Sequence, residues 1–239
     1  MRNLLAAFCV IASMASTPAF AEFSTSQKNA LNELFATFIK ENPELVREAL
    51  IDLATRETAA RQQMAFDFVR QDEGDPYIGA GDEADIIIYE FSDYNCGYCK
   101  RVFTQLQAVL EDDDKVRLTL KEYPILAESS IEAARAAIAA NRQGKFPEFH
   151  AAMMGWRGGL SLSTILSIAV EAGLDVDQLE ADMKDKEIDA IIARTRQAAQ
   201  MLELEGTPAL LIGDQLIPGA ASAAEIKQII ALQREKQAG

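Results

Sequence analysis

Residues 85–100 read Asp85-Ile86-Ile87-Ile88-Tyr89-Glu90-Phe91-Ser92-Asp93-Tyr94-Asn95-Cys96-Gly97-Tyr98-Cys99-Lys100. The first seven form an almost unbroken apolar, β-rich run, the pattern of a strand covered on both faces. From Cys99 to Glu111, Val102, Phe103, Leu106, Val109 and Leu110 recur at helical spacing. Strand, short turn, CxxC and helix therefore follow one another, which puts Cys96 at a helix N-terminus. Unpaired backbone N–H groups and the helix dipole favour a thiolate there. Cys99, one turn further on, is expected to face inward, within reach of a mixed disulfide formed at Cys96.

The start of the chain bears on how these cysteines are read. Arg2, an apolar stretch from Leu4 to Met14 and the small-x-small sequence Ala19-Phe20-Ala21 have the form of a signal peptide cleaved after Ala21. An uncleaved anchor is the alternative, but the apolar run is shorter than the roughly 20 residues a membrane span needs. Export to the periplasm is expected. Cys9 leaves with the signal peptide, so Cys96 and Cys99 are the two thiols of the mature chain. Random placement would set two cysteines three apart about 1% of the time. A staple closing so small a loop would restrict the unfolded chain little. A zinc site normally takes four ligands, and beyond these thiols the chain offers one histidine, His150. Redox chemistry is the reading left. The 239 residues are 49% hydrophobic and carry a net charge of −14, enough apolar content for a core and a surface that repels nucleic acid.

The segment from Phe91 to Lys100 resembles the active-site segment of the DsbA-like branch of thioredoxin-fold proteins. Lys121-Glu122-Tyr123-Pro124-Ile125-Leu126 and Gly206-Thr207-Pro208-Ala209 resemble two further landmarks of that family, in the same order. The resemblance covers about residues 84–235. Upstream, Asn42-Pro43-Glu44-Leu45-Val46 resembles the leader of the Com1/ScsC-like subgroup, whose helical N-terminal region joins subunits into oligomers such as trimers. The resemblance implies a cis proline at Pro208 packed against the CxxC. It also implies a Thr207 whose extended backbone pairs with a substrate strand. Without it, Pro208 would read as a turn proline, and Pro124 and Pro218 are read as structural.

Glu90 shares the Ile86 and Ile88 face of its strand, an unusual place for a carboxylate. In related proteins this position, six residues before the first cysteine, holds a buried acid beneath the disulfide. One reading makes Glu90 the proton acceptor for the Cys99 thiol, with a raised pKa; the other makes it a strand-end carboxylate reaching water. Lys121 matches a family lysine near that acid, or is a solvated strand-end lysine. His150 reads as an ordinary helix residue and Trp156 as core or loop packing. Gly97 and Tyr98, the candidate substrate-binding pair between the cysteines, supply no cation, unlike the Pro-His pair of strongly oxidising relatives. Disulfide isomerases carry the same Gly-Tyr pair, and isomerisation starts from a reduced, attacking thiol.

The expected fold class is α/β, a thioredoxin-like fold with a helical insertion at about 127–205, preceded by an N-terminal α-helical segment. Leu31, Leu34, Phe35, Phe38 and Ile39 form one amphipathic stripe, and Asn42 is expected to cap a second helix opened by Pro43. Leu45, Val46, Ala49, Leu50 and Leu53 continue it. Residues 22–75 are read as an oligomerisation segment and 76–239 as the catalytic domain, with Gln71–Pro76 as linker. A strand is expected over Lys115–Tyr123. Capping boxes are expected at Ser129/Glu132, Asp177/Glu180 and Ser222/Glu225, and helix stops at Gly144, Gly173 and Gly206. Strands Ala209–Ile212 and Gln215–Ile217 turn at Gly213-Asp214.

The functional expectation is an exported thiol–disulfide oxidoreductase, isomerase or reductase rather than oxidase, needing no cofactor and no resident metal. Cys96 attacks, Cys99 resolves, and Thr207 and Pro208 orient the client. Its expected partners are disulfide-containing protein clients, copies of itself, and a membrane redox protein, a DsbD-like reductase or a DsbB-like oxidase. A monomeric DsbA-like oxidase is one alternative. A copper(I)-binding protein using the same two thiols is the other.

Overall fold

A computed structural model describes residues 23–239; the signal-peptide reading, with Cys9 and the Ala21 cleavage site, lies outside them. Contacts divide the chain at Arg56/Glu57 into two units. The boundary falls inside a helix rather than at the stretch read as a linker.

The N-terminal unit holds α1 (Thr25–Glu41) and the first half of α2 (Pro43–Val69). Ser24 opens α1 with a capping box closed by Gln27. Asn42 turns its side-chain amide back to the Phe38 carbonyl, at 2.8 Å, ending α1 rather than capping α2. The apolar stripe is present and exposed: Leu34, Phe35, Phe38, Ile39, Leu45, Leu50 and Leu53 each leave about half or more of their surface open.

The second unit is built on a five-stranded sheet of order β1-β3-β2-β4-β5, with β1 Tyr77–Gly79, β2 Ile86–Ser92, β3 Val116–Glu122, β4 Ala209–Ile212 and β5 Gln215–Pro218. β2 and β3 run parallel and every other pair is antiparallel. α3 (Gly97–Asp112) follows β2 directly. Then α4 (Glu128–Arg142), α5 (Phe146–Gly155), α6 (Leu162–Glu171), α7 (Val176–Asp182) and α8 (Lys186–Met201) form the helical insertion, and α9 (Ala223–Ala238) ends the chain.

Alternation along the central strand builds two cores. Ile86, Ile88, Leu118, Leu120, Leu210 and Ile212 face α3, the helical insertion and α9. Tyr89, Phe91, Tyr123, Ala209 and Leu211 face Ala198 and Ala199 of α8 and Phe66 and Val69 of α2. Gly213, at a φ of +60°, turns β4 into β5, and the Gln233 side chain fills the space a Cβ would need.

Several local expectations need correction. The short edge strand β1 has no signature in the sequence, because three residues carry too little pattern. Gln71–Pro76 is not a free linker: Asp75 is buried, its carboxylate held by Lys121 at 2.7 Å and Arg194 at 3.0 Å, and Arg117 pairs with Asp72 at 2.8 Å. α4 starts one residue before Ser129, so its N-cap is Ala127, which has no capping group, and Ser129 and Ser130 lie inside the helix with their hydroxyls bonded to the active-site loop. α7 is capped by Asp175, not Asp177. α8 stops at Met201, well before Gly206: Glu203 takes the left-handed conformation at φ 55° and Leu204 N–H bonds back to the Ala199 carbonyl at 2.9 Å. The stops at Gly144 and Gly173 and the Ser222/Glu225 capping box are as expected.

The Lys121–Asp75 pair yields a test. Asp75→Ala would leave the buried Lys121 ammonium with the Gln71 carbonyl, 3.3 Å away, and the face of the Tyr89 ring, and would take the same carboxylate from Arg194. Removing one partner of a buried pair typically costs about 3–5 kcal/mol, and urea denaturation at neutral pH should show a loss of that size.

Candidate active site

β2 ends at Ser92, and the chain reaches α3 through Asp93, Tyr94, Asn95 and Cys96. Asp93 organises this turn. Its buried carboxylate accepts hydrogen bonds from Asn95 N–H (2.8 Å), the Ser130 hydroxyl (2.8 Å), and the Ile125 and Leu126 N–H groups (2.9 and 3.0 Å). Its carbonyl accepts from Cys96 N–H at 2.9 Å. One side chain therefore ties the cysteine loop to the Pro124–Leu126 loop and to α4. The Asp-x-Asn spacing at 93–95, an Asx-turn pattern, was the sequence signal for it.

Cys96 is the N-cap of α3, and its sulfur accepts from Cys99 N–H at 3.4 Å. As a thiol it also donates to the Thr207 carbonyl at 3.3 Å. The Thr207–Pro208 bond is cis, as the resemblance implied, and the resulting loop lies against the cysteine. Both cysteines are free thiols, and the Cys99 side chain is fully enclosed.

The two sulfurs differ sharply in acidity. The Cys99 thiol donating a hydrogen bond is the largest influence on Cys96. Partial burial opposes it, while the Thr207 hydroxyl and the N–H groups of Cys99 and Tyr98 help, and the Cys96 thiol falls to about 5. Burial drives Cys99 the other way, reinforced by the hydrogen bond to Cys96 and by Glu90. One thiolate therefore sits at the helix terminus above one retained thiol.

Glu90 lies on the central strand, fully buried, in the layer beneath the cysteines. This excludes the strand-end, water-reaching reading. Neither carboxylate oxygen has a hydrogen-bond partner among the described residues. Burial raises its pKa to about 8, with Ser92 opposing and Cys96 adding to the rise. Lys121 is neither beside that acid nor solvated. In the β2–β3 register it stands opposite Phe91, so it points to the other face of the sheet, where it meets Asp75.

His150 is not an ordinary helix residue. It is fully buried, its Nδ1 lies 2.8 Å from the Tyr94 hydroxyl, and that hydroxyl also donates to Glu122 at 3.1 Å. Phe103 packs edge-on against the imidazole at 4.6 Å between ring centroids. Burial lowers its pKa to about 3, so it is neutral, and burial likewise raises Glu122 well above the usual carboxylate range. Sequence reasoning missed Glu122 and this partnership because the three residues lie on different elements. Trp156 caps the end of α5, part-exposed, and its carbonyl accepts from Lys100 Nζ at 2.7 Å.

Gly97 and Tyr98 are exposed beside Cys96. On the proline side, a groove of about 460 Å³ is lined by Leu202, Leu204, Thr207, Pro208, Leu216 and Pro218 among others. Among the described residues no group of three or more His, Cys, Asp or Glu side chains is placed to hold a metal ion.

The family model described as DSBA-like thioredoxin domain matches residues 87–231. The structure of a thioredoxin-like oxidoreductase from Silicibacter pomeroyi DSS-3 is 40% identical, covering 71% of this chain and 97% of that one, with a TM-score of 0.68. ScsC of Proteus mirabilis in a transitional conformation is 25% identical over 90% of this chain and 98% of its own, with a TM-score of 0.66. Among curated proteins, Na(+)/H(+) antiporter NhaA 1 of Salinispora arenicola is 27% identical over 132 residues, 54% of this chain. The chain spans only about a fifth of that antiporter's length. The sheet and its inserted helices are the thioredoxin-like α/β fold that the motif implied.

Two outcomes are expected. Iodoacetamide should alkylate Cys96 in the folded dithiol with a half-maximal rate near pH 5 and leave Cys99 untouched, as peptide mapping would report. Glu90 binds its proton more tightly folded than unfolded, so stability falls as pH rises from 4.5 towards 8. Relative to Glu90→Gln, the native protein should lose about 3 kcal/mol by pH 7 and nothing below pH 4, measured by urea denaturation at each pH.

Proposed function

This chain belongs to the DSBA-like thioredoxin domain family, with ScsC-like relatives, and from that membership we propose that it is an exported thiol–disulfide oxidoreductase acting on periplasmic protein clients. The observation that carries the proposal is the unequal setting of the two CxxC sulfurs. Cys96 Sγ is held at a helix N-terminus against the cis-proline loop, while Cys99 stays protonated beneath it.

The steps follow from that geometry. The Cys96 thiolate attacks a client disulfide, forming a Cys96–client bond and expelling the client's other sulfur as thiolate. Glu90, ionised in a minority of molecules at neutral pH, takes the Cys99 proton in that form, and Cys99 attacks Cys96 Sγ. A Cys96–Cys99 disulfide forms and the client sulfur leaves, taking a proton from water. Thr207 and Pro208 hold the client strand, with Gly97 and Tyr98 on the opposite side. Run backwards, the same steps oxidise a client dithiol.

Isomerase or reductase action is favoured over oxidase action. Gly97-Tyr98 adds no cation to stabilise the thiolate further, and isomerisation begins from the reduced pair. A DsbD-like membrane reductase would then return the disulfide to the dithiol; a DsbB-like partner would serve an oxidase. Residues 22–75 act as the oligomerisation segment and 76–239 as the catalytic domain. The exposed stripe of Phe35, Phe38, Ile39, Leu45 and Leu50 supports self-association, since apolar surface of that extent is normally covered. Residues 1–21 act as the signal peptide.

The decisive variant is Cys99→Ala. Incubated in its reduced form with disulfide-bearing clients, it should accumulate mixed disulfides that dithiothreitol dissolves. The native protein should reactivate scrambled ribonuclease and elute as an oligomer under light scattering. A monomer without isomerase activity that oxidises reduced ribonuclease would reverse the preference. Absence of mixed disulfides together with tight copper(I) binding would replace redox exchange by the metal reading.

A further inference from the structure

The rim of the redox site carries an uncompensated positive charge in an acidic protein. Lys100 and Arg101 follow Cys99 on the first turn of α3, and Arg157 follows the end of α5. Lys100 Nζ and Arg157 both donate to one oxygen, the Trp156 carbonyl, at 2.7 and 3.2 Å, and Arg157 also donates to the Met154 carbonyl at 2.6 Å. Two like charges thus converge on one neutral acceptor. Arg101 lies over the exposed Tyr98 ring, 4.1 Å from its centroid. None of the three has a carboxylate partner among the described residues, although the chain holds 37 acidic residues against 23 Lys and Arg. Burial first, and then Arg157, make the Lys100 ammonium easier to deprotonate, while the Cys96 thiolate holds its proton on. The cluster is therefore electrostatically unfinished. Across the site the charge reverses, because Glu203 and Glu205 stand exposed on the groove that holds Pro208.

We infer that Lys100, Arg101 and Arg157 form a recognition site for client carboxylates, selecting segments that carry Asp or Glu beside the reacting cysteine and directing that acidic side towards α3 and α5. The occupant is an acidic peptide segment. It supplies the missing counter-charge for the convergent pair, and Tyr98 and Trp156 offer aromatic surface beside it. The opposing glutamates repel the same segment from the proline side, so the rim fixes orientation as well as preference. The inference rests on the exchange activity proposed above.

The test uses the full reduced chain and three peptides whose cysteine is disulfide-bonded to thionitrobenzoate, flanked by Glu-Glu, Gln-Gln or Lys-Lys. Attack by the Cys96 thiolate on the peptide sulfur breaks that disulfide and releases coloured thionitrobenzoate thiolate; Cys99 then displaces the peptide. At low salt the glutamate peptide should react about tenfold faster than the lysine peptide, the lower end of what local steering gives. Near 1 M salt, where the screening length is about 3 Å, the ratio should approach one. Arg101→Glu with Arg157→Glu should bring the low-salt ratio to one or below, with the glutamine peptide reporting any change in Cys96 itself. The net charge of −14 alone favours the lysine peptide. Equal rates, or a lysine preference in the native protein, would overturn the inference while leaving exchange intact. No release from the glutamine peptide would instead remove the exchange reading and this inference with it.

Discussion

The placement of one proton between two sulfurs governs the rest of the site. Cys96 gives its proton up because donors face it: the Cys99 thiol first, and the backbone N–H groups of α3's first turn. Cys99 keeps its proton because burial and a neighbouring acid make a second negative charge prohibitive. These are one effect seen from two sides, since the retained Cys99 proton is itself the strongest donor to the Cys96 sulfur. A single helix N-terminus cannot create the difference, because both cysteines belong to the same turn. Depth does. Cys99 is fully enclosed in the core that also holds Ile88, Leu106 and Leu120, while Cys96 keeps a little exposure and meets the Thr207 carbonyl of the cis-proline loop.

The fold is arranged to hold that depth. β2 is the central strand, so a carboxyl at Glu90 is shut from water on every side and its proton affinity rises into the neutral range. The same strand feeds straight into the Asp93 turn, whose four accepted hydrogen bonds fix where α3 begins. Tyr94 then bridges Glu122 at the end of β3 and His150 of α5, so that the inserted helices are tied to the cysteine loop by polar bonds as well as packing. Buried hydrogen-bonded groups of this kind specify one arrangement of the surrounding elements.

Much of this was legible in the sequence, and the failures share a cause. The strand, the CxxC helix, the β4–β5 hairpin and the exposed N-terminal stripe follow from local periodicity and turn residues, which tertiary context seldom reverses. Glu90 was legible because period-two alternation placed a carboxylate among isoleucines. His150, Glu122 and Asp75 were not, because each owes its burial to a partner far away in the chain. Lys121 misled for a related reason: a one-residue step along a strand exchanges its faces, and the register that separates Lys121 from Glu90 is set by pairing between strands. The stop of α8 at Met201 escaped because Glu203 adopts a backbone conformation that glycine usually announces.

The acidity of Cys96 also bears on the direction of electron flow. A stabilised thiolate makes the reduced pair the favoured form and its disulfide correspondingly oxidising. Here the stabilisation comes from hydrogen bonds within the motif, with no cation between the cysteines to add to it. A thiolate held by hydrogen bonds is ionised at neutral pH without being the poorest of nucleophiles, since nucleophilicity falls as the pKa falls. Under the proposed isomerase activity, that compromise would suit repeated attack on wrong disulfides and release of each client. Under the proposed self-association, residues 22–75 would place further thiolates on the same assembly. A client released by one Cys99 would then meet another Cys96 at an effective concentration set by the assembly rather than by dilution. Repeated attack within one assembly is what separates shuffling from single oxidation, so the exposed apolar stripe, and not the acid thiol, carries the proposed preference for isomerisation.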